Sequence, residues 1–375
     1  MIFGSFVGPD ASRSLADAFR AQRLLVRSDD APRCFDALWS DWLLPAVFRF
    51  TVLGDRDALL LSRDGRRIPS DACLSPNGVF DVEALRRLWN RGVSVTLTGF
   101  DLYSDRVLSL VRSLEADLQC PTQVNLYVTP PHARALMLHR DDHDVVVLQI
   151  VGEKSWEVHC GGATPGNGAP ELTRARLRAG GLLYIPMGVV HAAGNSGPSA
   201  SIHLTIGLLP LTWFDALRNG LEAARHASPA LSLPLTPNGA RTEGAAAVRR
   251  HLLSLAPFVD PAKQAERHHR RYAGFGVRPS EPVPRDRLDA VTEATCFSMA
   301  VDRECVQSTA ACVRVSRPDR RAPLDLHPAL AGTIDSMLRR RDFRPADLAG
   351  PDSDAAVALC RFLANVGVLA LGDAA

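Results

Sequence analysis

The most regular pattern of apolar and polar positions lies in the middle of the chain, over residues 123–209. There, short segments of alternating apolar and polar side chains are broken by Gly, Pro or Asn about every ten residues. Because successive side chains of a strand point to opposite faces, this pattern predicts a compact antiparallel sandwich or barrel. The predicted strands are 123–129, 144–150, 153–159, 182–186, 189–191 and 200–208.

Polar side chains fall together on one face of several of these predicted strands. The sets that share a face are Asn125 with Tyr127, Lys154 with Trp156, and Ser201 with His203 and Thr205. Buried polar groups cost free energy unless a partner satisfies them. If these faces point inward, they indicate a site for a polar ligand.

Helical spacing of apolar residues predicts the elements on either side. Before the barrel, residues 12–48 are predicted to be helical, 48–61 to form strands around a Gly54-Asp55 turn, and 81–89 and 102–118 to be amphipathic helices. After Trp213 the chain is predicted to be helical to about residue 259, with a break at the Pro-rich stretch 229–237. Short strands in 292–316 and helices in 328–369, split at Pro345 and Gly350-Pro351, predict a small mixed module at the end.

Composition excludes some classes of protein. The chain has 375 residues, 46% of them hydrophobic, so it can bury a full core and is not disordered in bulk. A formal net charge of +2 argues against a nucleic-acid coat or a polycationic membrane binder. The Arg-rich clusters 267–271 and 339–341 could contact phosphates, but solvated helix faces are the favoured interpretation. Nucleic acid is therefore not an expected partner.

The expected compartment is the cytoplasm. No apolar run approaches the length that spans a bilayer, and the first residues lack the basic and apolar regions of a secretory signal, so no membrane partner is expected. The eight cysteines are scattered without a CxxC pair, which predicts free thiols in a reducing environment and disfavours a cysteine-based zinc site.

Lysine is rare in this chain. Of the 43 Lys and Arg residues, only Lys154 and Lys263 are lysines. Codon bias in a GC-rich genome accounts for the excess of arginine. Lys154, on a predicted barrel strand beside Trp156, is nevertheless a candidate for a specific role, whereas Lys263 is expected at the surface.

The segment Leu138-His139-Arg140-Asp141-Asp142-His143-Asp144 carries the candidate metal chemistry. On a strand, His139 and Asp141 leave the same face and could occupy two neighbouring positions on one metal ion. His191, which follows the turn at 186–188, is well placed as the third ligand. Two histidines and one carboxylate leave three positions open, as in non-haem Fe(II) oxygenases.

Other interpretations of these residues remain open. A His and an Asp two residues apart are common, and a simple hydrogen-bonded pair would explain them. On a strand His143 would lie about 13 Å from His139, too far for the same ion. His159 and His203 are interpreted as core or rim histidines rather than ligands.

Several motifs, taken together, resemble the JmjC-type cupin oxygenases and, within them, the ribosomal oxygenases. In chain order they are Asn125-Leu126-Tyr127-Val128-Thr129-Pro130-Pro131, His139-x-Asp141-Asp142-x-Asp144-Val145, Val147-Leu148-Gln149-x-x-Gly152-x-Lys154-x-Trp156, Tyr184-Ile185-Pro186-x-Gly188-x-x-His191 and Ser201-x-His203-Leu204-Thr205. The close match covers about residues 120–210. Elsewhere the resemblance is one of layout only.

The resemblance implies a mixed α+β protein built on a double-stranded β-helix, the JmjC or cupin barrel, with N-terminal helices. It implies a catalytic domain over 1–212 with the barrel core at about 120–210, a helical dimerisation region over 213–275 and a winged-helix-like domain over 276–375. A homodimer is the expected assembly.

The resemblance also implies the roles of site residues. His139, Asp141 and His191 would hold Fe(II), and Lys154 would pair with the distal carboxylate of 2-oxoglutarate. Asn125, Tyr127 and Thr205 would donate further hydrogen bonds near that cosubstrate. The implied reaction is an O₂-dependent hydroxylation that releases succinate and CO₂.

The substrate-facing positions depart from the ribosomal oxygenase pattern. Apolar residues 135–138, Arg140, Met187 and Val189 stand where the family has other residue types. Met137, Arg140 and Asp144 are tentative substrate contacts. The leading substrate is a side chain of a protein or peptide, and the alternative is a small natural product or a biosynthetic peptide precursor. A metal-binding cupin without oxygenase activity and a nucleic-acid-binding module are the remaining hypotheses.

Overall fold

The computed structural model describes residues 3–28, 35–53, 59–74, 79–160, 171–232, 237–270, 272, 281–348 and 352–372. The helices are α1 Gly4–Val7, α2 Pro9–Ala21, α3 Leu43–Phe50, α4 Val82–Asn90, α5 Asp105–Leu118, α6 Trp213–Ala227, α7 Pro237–Leu255, α8 Pro261–Arg270, α9 Arg285–Asp289, α10 Ala331–Leu338 and α11 Ser353–Asn365.

The strands are β1 Leu25–Arg27, β2 Leu59–Arg63, β3 Arg66–Ile68, β4 Ser94–Thr98, β5 Thr122–Thr129, β6 Asp144–Val151, β7 Glu153–Cys160, β8 Glu171–Arg178, β9 Leu182–Ile185, β10 Val190–Gly194, β11 Ser201–Leu208, β12 Phe297–Met299, β13 Val306–Ser308, β14 Val313–Val315, β15 Leu324–Leu326 and β16 Leu369–Leu371. All the strand predictions over 123–208 are confirmed to within a few residues. Strand β8 was not predicted.

The predicted amphipathic helices before the barrel are confirmed as α4 and α5. Each begins at a residue whose side chain caps it: Asp81 accepts from the backbone N–H of Ala84 at 2.9 Å, and Ser104 accepts from that of Val107 at 3.4 Å. Capping of this kind satisfies an N–H group that has no partner within the helix.

The prediction of helix over 12–48 and of strands over 48–61 is wrong in part. Helix α2 ends at Ala21, because Gln22 adopts a left-handed conformation, and β1 then pairs with β9 of the barrel. Helix α3 continues to Phe50, where strands were expected, and β2 begins only at Leu59. The predicted Gly54-Asp55 turn lies outside the described residues. Short apolar runs do not distinguish a helix from a strand by periodicity, and pairing with β9 decided the outcome for β1.

Two antiparallel sheets form the barrel. The larger has the strand order β1-β9-β6-β11-β5-β4-β2-β3, and the smaller has the order β10-β7-β8. The centre of the larger sheet is buried on both faces. Outer-face residues of β6, such as Val146 and Leu148, join a core with the helices, while Val145 and Val147 join a second core with Trp156 on β7. Burial on both faces explains why β6 is almost continuously apolar.

Residues 281–372 pack directly on the N-terminal helices. One continuous apolar core contains Phe50 of α3, Val111 of α5 and Phe362 of α11. The backbone also joins the two parts, because the N–H of Val52 donates to Asp325 O at 2.8 Å and that of His327 donates to Phe50 O at 2.8 Å. These contacts tie the last part of the chain to the helices behind the barrel. Its winged-helix character and the three domain boundaries stay predictions.

Buried ion pairs cross the same contact. Glu115 on α5 accepts from Arg112 at 2.7 Å, from the backbone and side chain of Thr122 at 2.9 Å each, and from Arg321 of the C-terminal region. Asp105, at the start of the same helix, pairs with Arg317 at 3.2 Å and with Arg320. Buried charges of this kind are tolerated because each one is paired and hydrogen-bonded.

Among the described residues, none of the helices combines the length and the apolar composition that crossing a membrane requires.

We predict that Glu115→Ala lowers the free energy of unfolding by about 3–5 kcal/mol, because it removes the carboxylate that pairs with the buried Arg112 and the partly buried Arg321. Chemical denaturation followed by circular dichroism measures the change. The matched control is Glu83→Ala, which removes an exposed partner of Arg86 on α4 and should leave the unfolding midpoint where it is. Equal midpoints for the two variants would contradict the role given to Glu115.

Candidate metal centre and its cavity

A two-residue antiparallel bridge brings the predicted metal ligands together. The N–H of His139 donates to His191 O at 3.0 Å, and the N–H of His191 donates to His139 O at 2.8 Å. The residues 139–141 do not form a strand, contrary to the prediction, since β6 begins only at Asp144. The N–H of Gly188 holds Asp141 by donating to its carbonyl oxygen at 2.9 Å. The backbone around His191 therefore fixes both other ligands.

The three side chains converge on one point. Their nearest ligand atoms all lie within 4.8 Å of one another. Nε2 of His139 is 3.9 Å from Oδ1 of Asp141, and Nε2 of His191 is 3.5 Å from Oδ2 of the same carboxylate. This arrangement matches the grouping predicted from the sequence, and its donor set of two imidazole nitrogens and a carboxylate suits a divalent transition metal.

Hydrogen bonds to the backbone orient both imidazole rings. Nδ1 of His139 lies 2.9 Å from Met137 O, and Nδ1 of His191 lies 3.0 Å from Val189 O, in each case the carbonyl two residues earlier. A carbonyl accepts only from a protonated nitrogen, so Nδ1 carries the hydrogen and Nε2 keeps its lone pair for a metal. Burial lowers the pKa of His191, which also favours the neutral ring that binds metal.

The ligands open into a cavity of about 270 Å³ between the two sheets. Strands β5, β6, β7, β10 and β11 and the segment before β6 all contribute to its wall. The wall residues are Gln123, Asn125, Tyr127, Ala135, Leu136, His139, Asp141, His143, Val145, Lys154, Trp156, His191, Ala193, His203, Thr205 and Gly207. The four predicted cosubstrate residues, Asn125, Tyr127, Lys154 and Thr205, are all among them.

Lys154 is a buried amine that has no carboxylate partner in the part of the chain that the structure describes. Its side chain is 2% exposed, and Nζ donates to Thr129 Oγ1 at 3.0 Å and lies 3.5 Å from Nδ1 of His203. Among the described residues, no carboxylate lies within 4.0 Å of Nζ. Burial lowers the pKa of Lys154 to about 7. A buried ammonium group is expensive unless it is paired, so this position fits the carboxylate of a bound ligand.

Other polar groups in the wall also have unused hydrogen-bonding capacity. Trp156 Nε1 is buried and has no hydrogen-bond partner in the structure. The amide oxygen of Asn125 accepts from the backbone N–H of Gly99 at 3.3 Å, which leaves its NH₂ group as a donor for a ligand. Burial raises the pKa of Tyr127 to about 12, so its hydroxyl keeps its proton and can donate as well. The cavity therefore presents several donors to an acceptor-rich ligand.

His203 is a wall residue that the sequence interpretation left out. Its ring stacks on Tyr127 with centroids 4.8 Å apart and meets Trp156 edge-on at 5.8 Å. Burial lowers the pKa of His203 well below its ordinary value, and the positive charge of the neighbouring Lys154 lowers it further. The His203 ring is therefore neutral. The alternation that placed Ser201, His203 and Thr205 on one face could have identified it, because Thr205 on that face was assigned to the site.

His143 also lies in the wall. A Cβ on Gly207 of β11 would come within 2.7 Å of the His143 ring, so the ring occupies the space that a larger residue at position 207 would need. Nδ1 of His143 lies 2.9 Å from the carboxylate of Asp142. His143 is not one of the three grouped ligands, in agreement with the sequence prediction, but it contributes an imidazole to the same cavity.

The tentative substrate contacts lie outside the cavity wall. Asp144 is 2% exposed; it accepts from the backbone N–H of Met187 at 2.7 Å and from Gln22 Nε2 at 3.2 Å. It therefore fixes the turn before β10, and a contact between Asp144 and substrate stays a prediction. Met137 and Arg140 are exposed next to the metal ligands in the chain, and a contact with substrate outside the cavity stays a prediction for them.

Residues 101–215 match the family described as the JmjC domain. This stretch contains every strand that carries a site residue, namely β5, β6, β7, β10 and β11, whereas β1 to β4 of the larger sheet lie before it. Over residues 101–215 the chain is thus similar to JmjC domains. Over this domain it resembles the ribosomal oxygenases.

Two curated relatives and one solved structure illustrate the resemblance. The bifunctional lysine-specific demethylase and histidyl-hydroxylase NO66 of Dictyostelium discoideum is 30% identical over 165 residues, which make up 40% of this chain and 32% of that protein. Ribosomal oxygenase 1 of Gallus gallus is 29% identical over 151 residues, or 36% of this chain and 25% of that protein. The Escherichia coli ribosomal oxygenase YcfD aligns with a TM-score of 0.40 and 13% identity, covering 95% of this chain and 97% of that chain. The matched segment thus spans a third or less of the length of either curated relative.

We predict that His139→Ala and Asp141→Ala each abolish tight binding of Co(II), because each removes one of three ligands that the fold holds within one coordination sphere. Titration with Co(II), followed by its visible absorption, measures the loss. His159→Ala is the matched control, since that histidine lies on β7 and is not part of the ligand group. Tight binding that survives in either ligand variant would refute the assignment.

Proposed function

We propose that this protein is an Fe(II)- and 2-oxoglutarate-dependent dioxygenase that hydroxylates an amino-acid side chain in a protein or peptide. One observation carries the proposal: the His139, Asp141 and His191 group shares a cavity with a buried lysine that has no anionic partner among the described residues. A metal centre next to an anion site is what binding of a metal-chelating dicarboxylate requires.

Fe(II) fits the ligand group. Two neutral imidazole nitrogens and one carboxylate would occupy one side of the ion and leave positions for a bidentate cosubstrate and for O₂. Bound Fe(II) would supply the oxidation of a C–H bond by O₂, coupled to the conversion of 2-oxoglutarate to succinate and CO₂. The hydrogen bonds from Nδ1 of both histidines keep the rings in the orientation that this binding needs.

2-Oxoglutarate fits the polar wall. Lys154 would pair with its distal carboxylate, with Thr129 Oγ1 holding the ammonium group in place. Tyr127, Asn125 and Thr205 would donate further hydrogen bonds, and Trp156 Nε1 offers one more donor. Val145 and Trp156 in the cavity wall are buried in the second apolar core, and a low-dielectric surrounding of this kind strengthens electrostatic contacts.

A protein or peptide side chain is the substrate class that we favour. A cavity of about 270 Å³ lies below the usual range for drug-sized ligands, which favours entry of a single side chain, and His143 and Gln123 in its wall can hydrogen-bond to that side chain. The names of the curated relatives, histidyl-hydroxylase and ribosomal oxygenase, support the same class. The atom that becomes hydroxylated is decided by which C–H bond the cavity wall presents to the metal.

The proposal is tested by incubating the purified protein with Fe(II), 2-oxoglutarate and O₂ and measuring succinate. We expect succinate from the wild-type protein and at least a tenfold loss of 2-oxoglutarate affinity in Lys154→Ala, because the anion loses its only buried cationic partner among the described residues. Lys263→Ala is the matched control, since that lysine is exposed on α8 and pairs with Asp260. A wild-type protein that releases no succinate would sink the oxygenase proposal and favour a metal-binding cupin.

The affinity for 2-oxoglutarate should also depend on pH. In the free protein the pKa of Lys154 is about 7, and a bound carboxylate favours the ammonium form, so binding above pH 7 takes up a proton. Affinity should then weaken as pH rises, by up to about tenfold per pH unit. Calorimetry of the Zn(II)-loaded protein in two buffers of different ionisation enthalpy measures the proton uptake. An affinity that stays constant from neutral to alkaline pH would contradict the pairing.

We further propose that the protein is a cytoplasmic homodimer that associates through the helical region 213–275. Helix α6 exposes Trp213, Phe214, Leu217 and Leu221, which are 48–72% accessible, and Leu252 on α7 is similarly exposed. Trp213, Leu217 and Leu221 follow one another at intervals of four residues, so they form one stripe along the helix. An apolar stripe of this size is typical of a protein–protein interface. The free cysteines among the described residues agree with a reducing compartment.

We predict that the double variant Leu217→Glu with Leu221→Glu is monomeric, because two charges in the apolar contact would be desolvated without partners. Size-exclusion chromatography with light scattering measures the mass. Val82→Glu, at an exposed valine on α4, is the matched control and should remain dimeric. A wild-type monomer, or a dimer that tolerates both glutamates, would contradict this interface.

A further inference from the structure

Four exposed apolar side chains lie next to the metal ligands, and we name them the collar. They are Leu136, Met137, Leu138 and Met187, which are 36–54% exposed. Three of them are consecutive in the chain. A run of three exposed apolar residues is unfavourable in a soluble protein unless it has a function.

The collar is held in place by specific contacts. The hairpin turn between β2 and β3 fastens the segment before the first ligand, because the N–H of Asp64 donates to Arg134 O at 2.8 Å and that of Gly65 donates to Ala135 O at 3.0 Å. Met137 lies directly over Gly65, where a Cβ would come within 2.4 Å of its Cγ. The N–H of Met187 is fixed by Asp144. A surface ordered in advance loses little conformational entropy when a partner binds.

The collar is continuous with the cavity. Leu136 is itself part of the cavity wall, and Leu138 directly precedes His139. Met187 stands beside Gly188, which holds the backbone of Asp141. The bridge pairs the segment that contains His139 with the segment that contains His191. Leu136, Met137 and Leu138 belong to the first segment and Met187 belongs to the second, so both segments contribute to the collar. A substrate that reaches the metal from outside therefore meets apolar side chains before it enters the cavity.

The exposed charges next to the ligands do not select for a basic partner. Arg140 and Asp142 have opposite signs, and the carboxylate of Asp142 is hydrogen-bonded to His143. Electrostatic attraction of a strongly cationic peptide needs an excess of negative charge at the opening. The chemistry of this surface is therefore mainly hydrophobic.

We propose that the collar binds apolar side chains that flank the oxidised residue of a peptide or protein substrate. This inference rests on the proposed oxygenase function and specifies its substrate class: a segment with Leu, Ile, Val or Phe on either side of the residue that enters the cavity. Burial of such side chains against the collar would supply binding energy, while the cavity itself selects the target residue.

The test uses the Fe(II)-loaded full-length protein and two pools of synthetic peptides. Both pools vary the central residue and exclude Met, Cys and Trp, which oxidise without an enzyme. One pool has apolar residues on both sides of the centre and the other has Arg, Lys, Gln and Ser, with identical charged ends for solubility. Mass spectrometry counts peptides that gain one oxygen atom only when 2-oxoglutarate is present. We expect at least a tenfold preference for the apolar pool.

Collar variants show where the preference arises. Leu138→Glu and Met187→Glu should each raise KM for the best apolar peptide about tenfold or more, because a glutamate would be desolvated at the contact. The conservative variants Leu138→Met and Met187→Leu should keep the wild-type KM. Binding of Co(II) is measured first for each variant, so that KM is compared only among folded proteins. Val82→Glu, far from the collar in the chain, is the control variant.

The outcomes separate the two proposals. The protein could release succinate but prefer the pool with Arg, Lys, Gln and Ser, or prefer neither pool. Either result would overturn the collar inference and leave the oxygenase proposal standing. A change of oligomeric state in the collar glutamate variants would also overturn it, since a second copy of the chain would then be the occupant. The absence of succinate under all conditions would overturn both proposals.

Discussion

The candidate site depends on the antiparallel bridge between His139 and His191. The two ligands are 52 residues apart in the chain, yet two backbone hydrogen bonds of 3.0 and 2.8 Å fix their separation and their relative direction. Asp141 then follows at a defined distance, because Gly188 binds its carbonyl oxygen. Three ligands placed by the backbone need little rearrangement to receive a metal, which is the advantage of building a metal centre on a rigid sheet.

The larger sheet makes the site possible by being buried on both faces. Its outer face packs against the helices and the C-terminal region, and its inner face is free to carry polar groups towards the smaller sheet. Lys154 and His203 are each 2% exposed. Burial of these polar groups costs free energy, and burial of the surrounding apolar side chains offsets that cost. The same burial lowers the pKa of both groups, and an anion bound next to Lys154 would favour its ammonium form again. The apolar cores thus stabilise the fold around a site whose buried polar groups are unfavourable when no ligand is bound.

Much of this arrangement could be predicted from local pattern. Alternation along β5 and β11 placed Asn125 with Tyr127 on one face and Thr205 with His203 on another, and the structure has these residues in the cavity wall. Other features depended on contacts with distant residues. Asp144 accepts from the backbone N–H of Met187 in the turn before β10, and that partner lies 43 residues along the chain. His203 was set aside because a buried histidine is often structural, and only its stacking on Tyr127 and its distance to Lys154 give it a place in the site.

The sequence by itself predicted the antiparallel barrel, the grouping of His139, Asp141 and His191, and a role for Lys154 in the same site. The barrel follows from the periodicity of neighbouring residues, and the site residues follow from residue type and from motifs that resemble a known family. Only the tertiary structure decided that residues 25–27 join the barrel, that His143 occupies the space above Gly207 and that 281–372 share a core with the N-terminal helices. These features depend on which distant segments pack together. Packing is set by complementary shape and burial over the whole chain, so no local pattern specifies it.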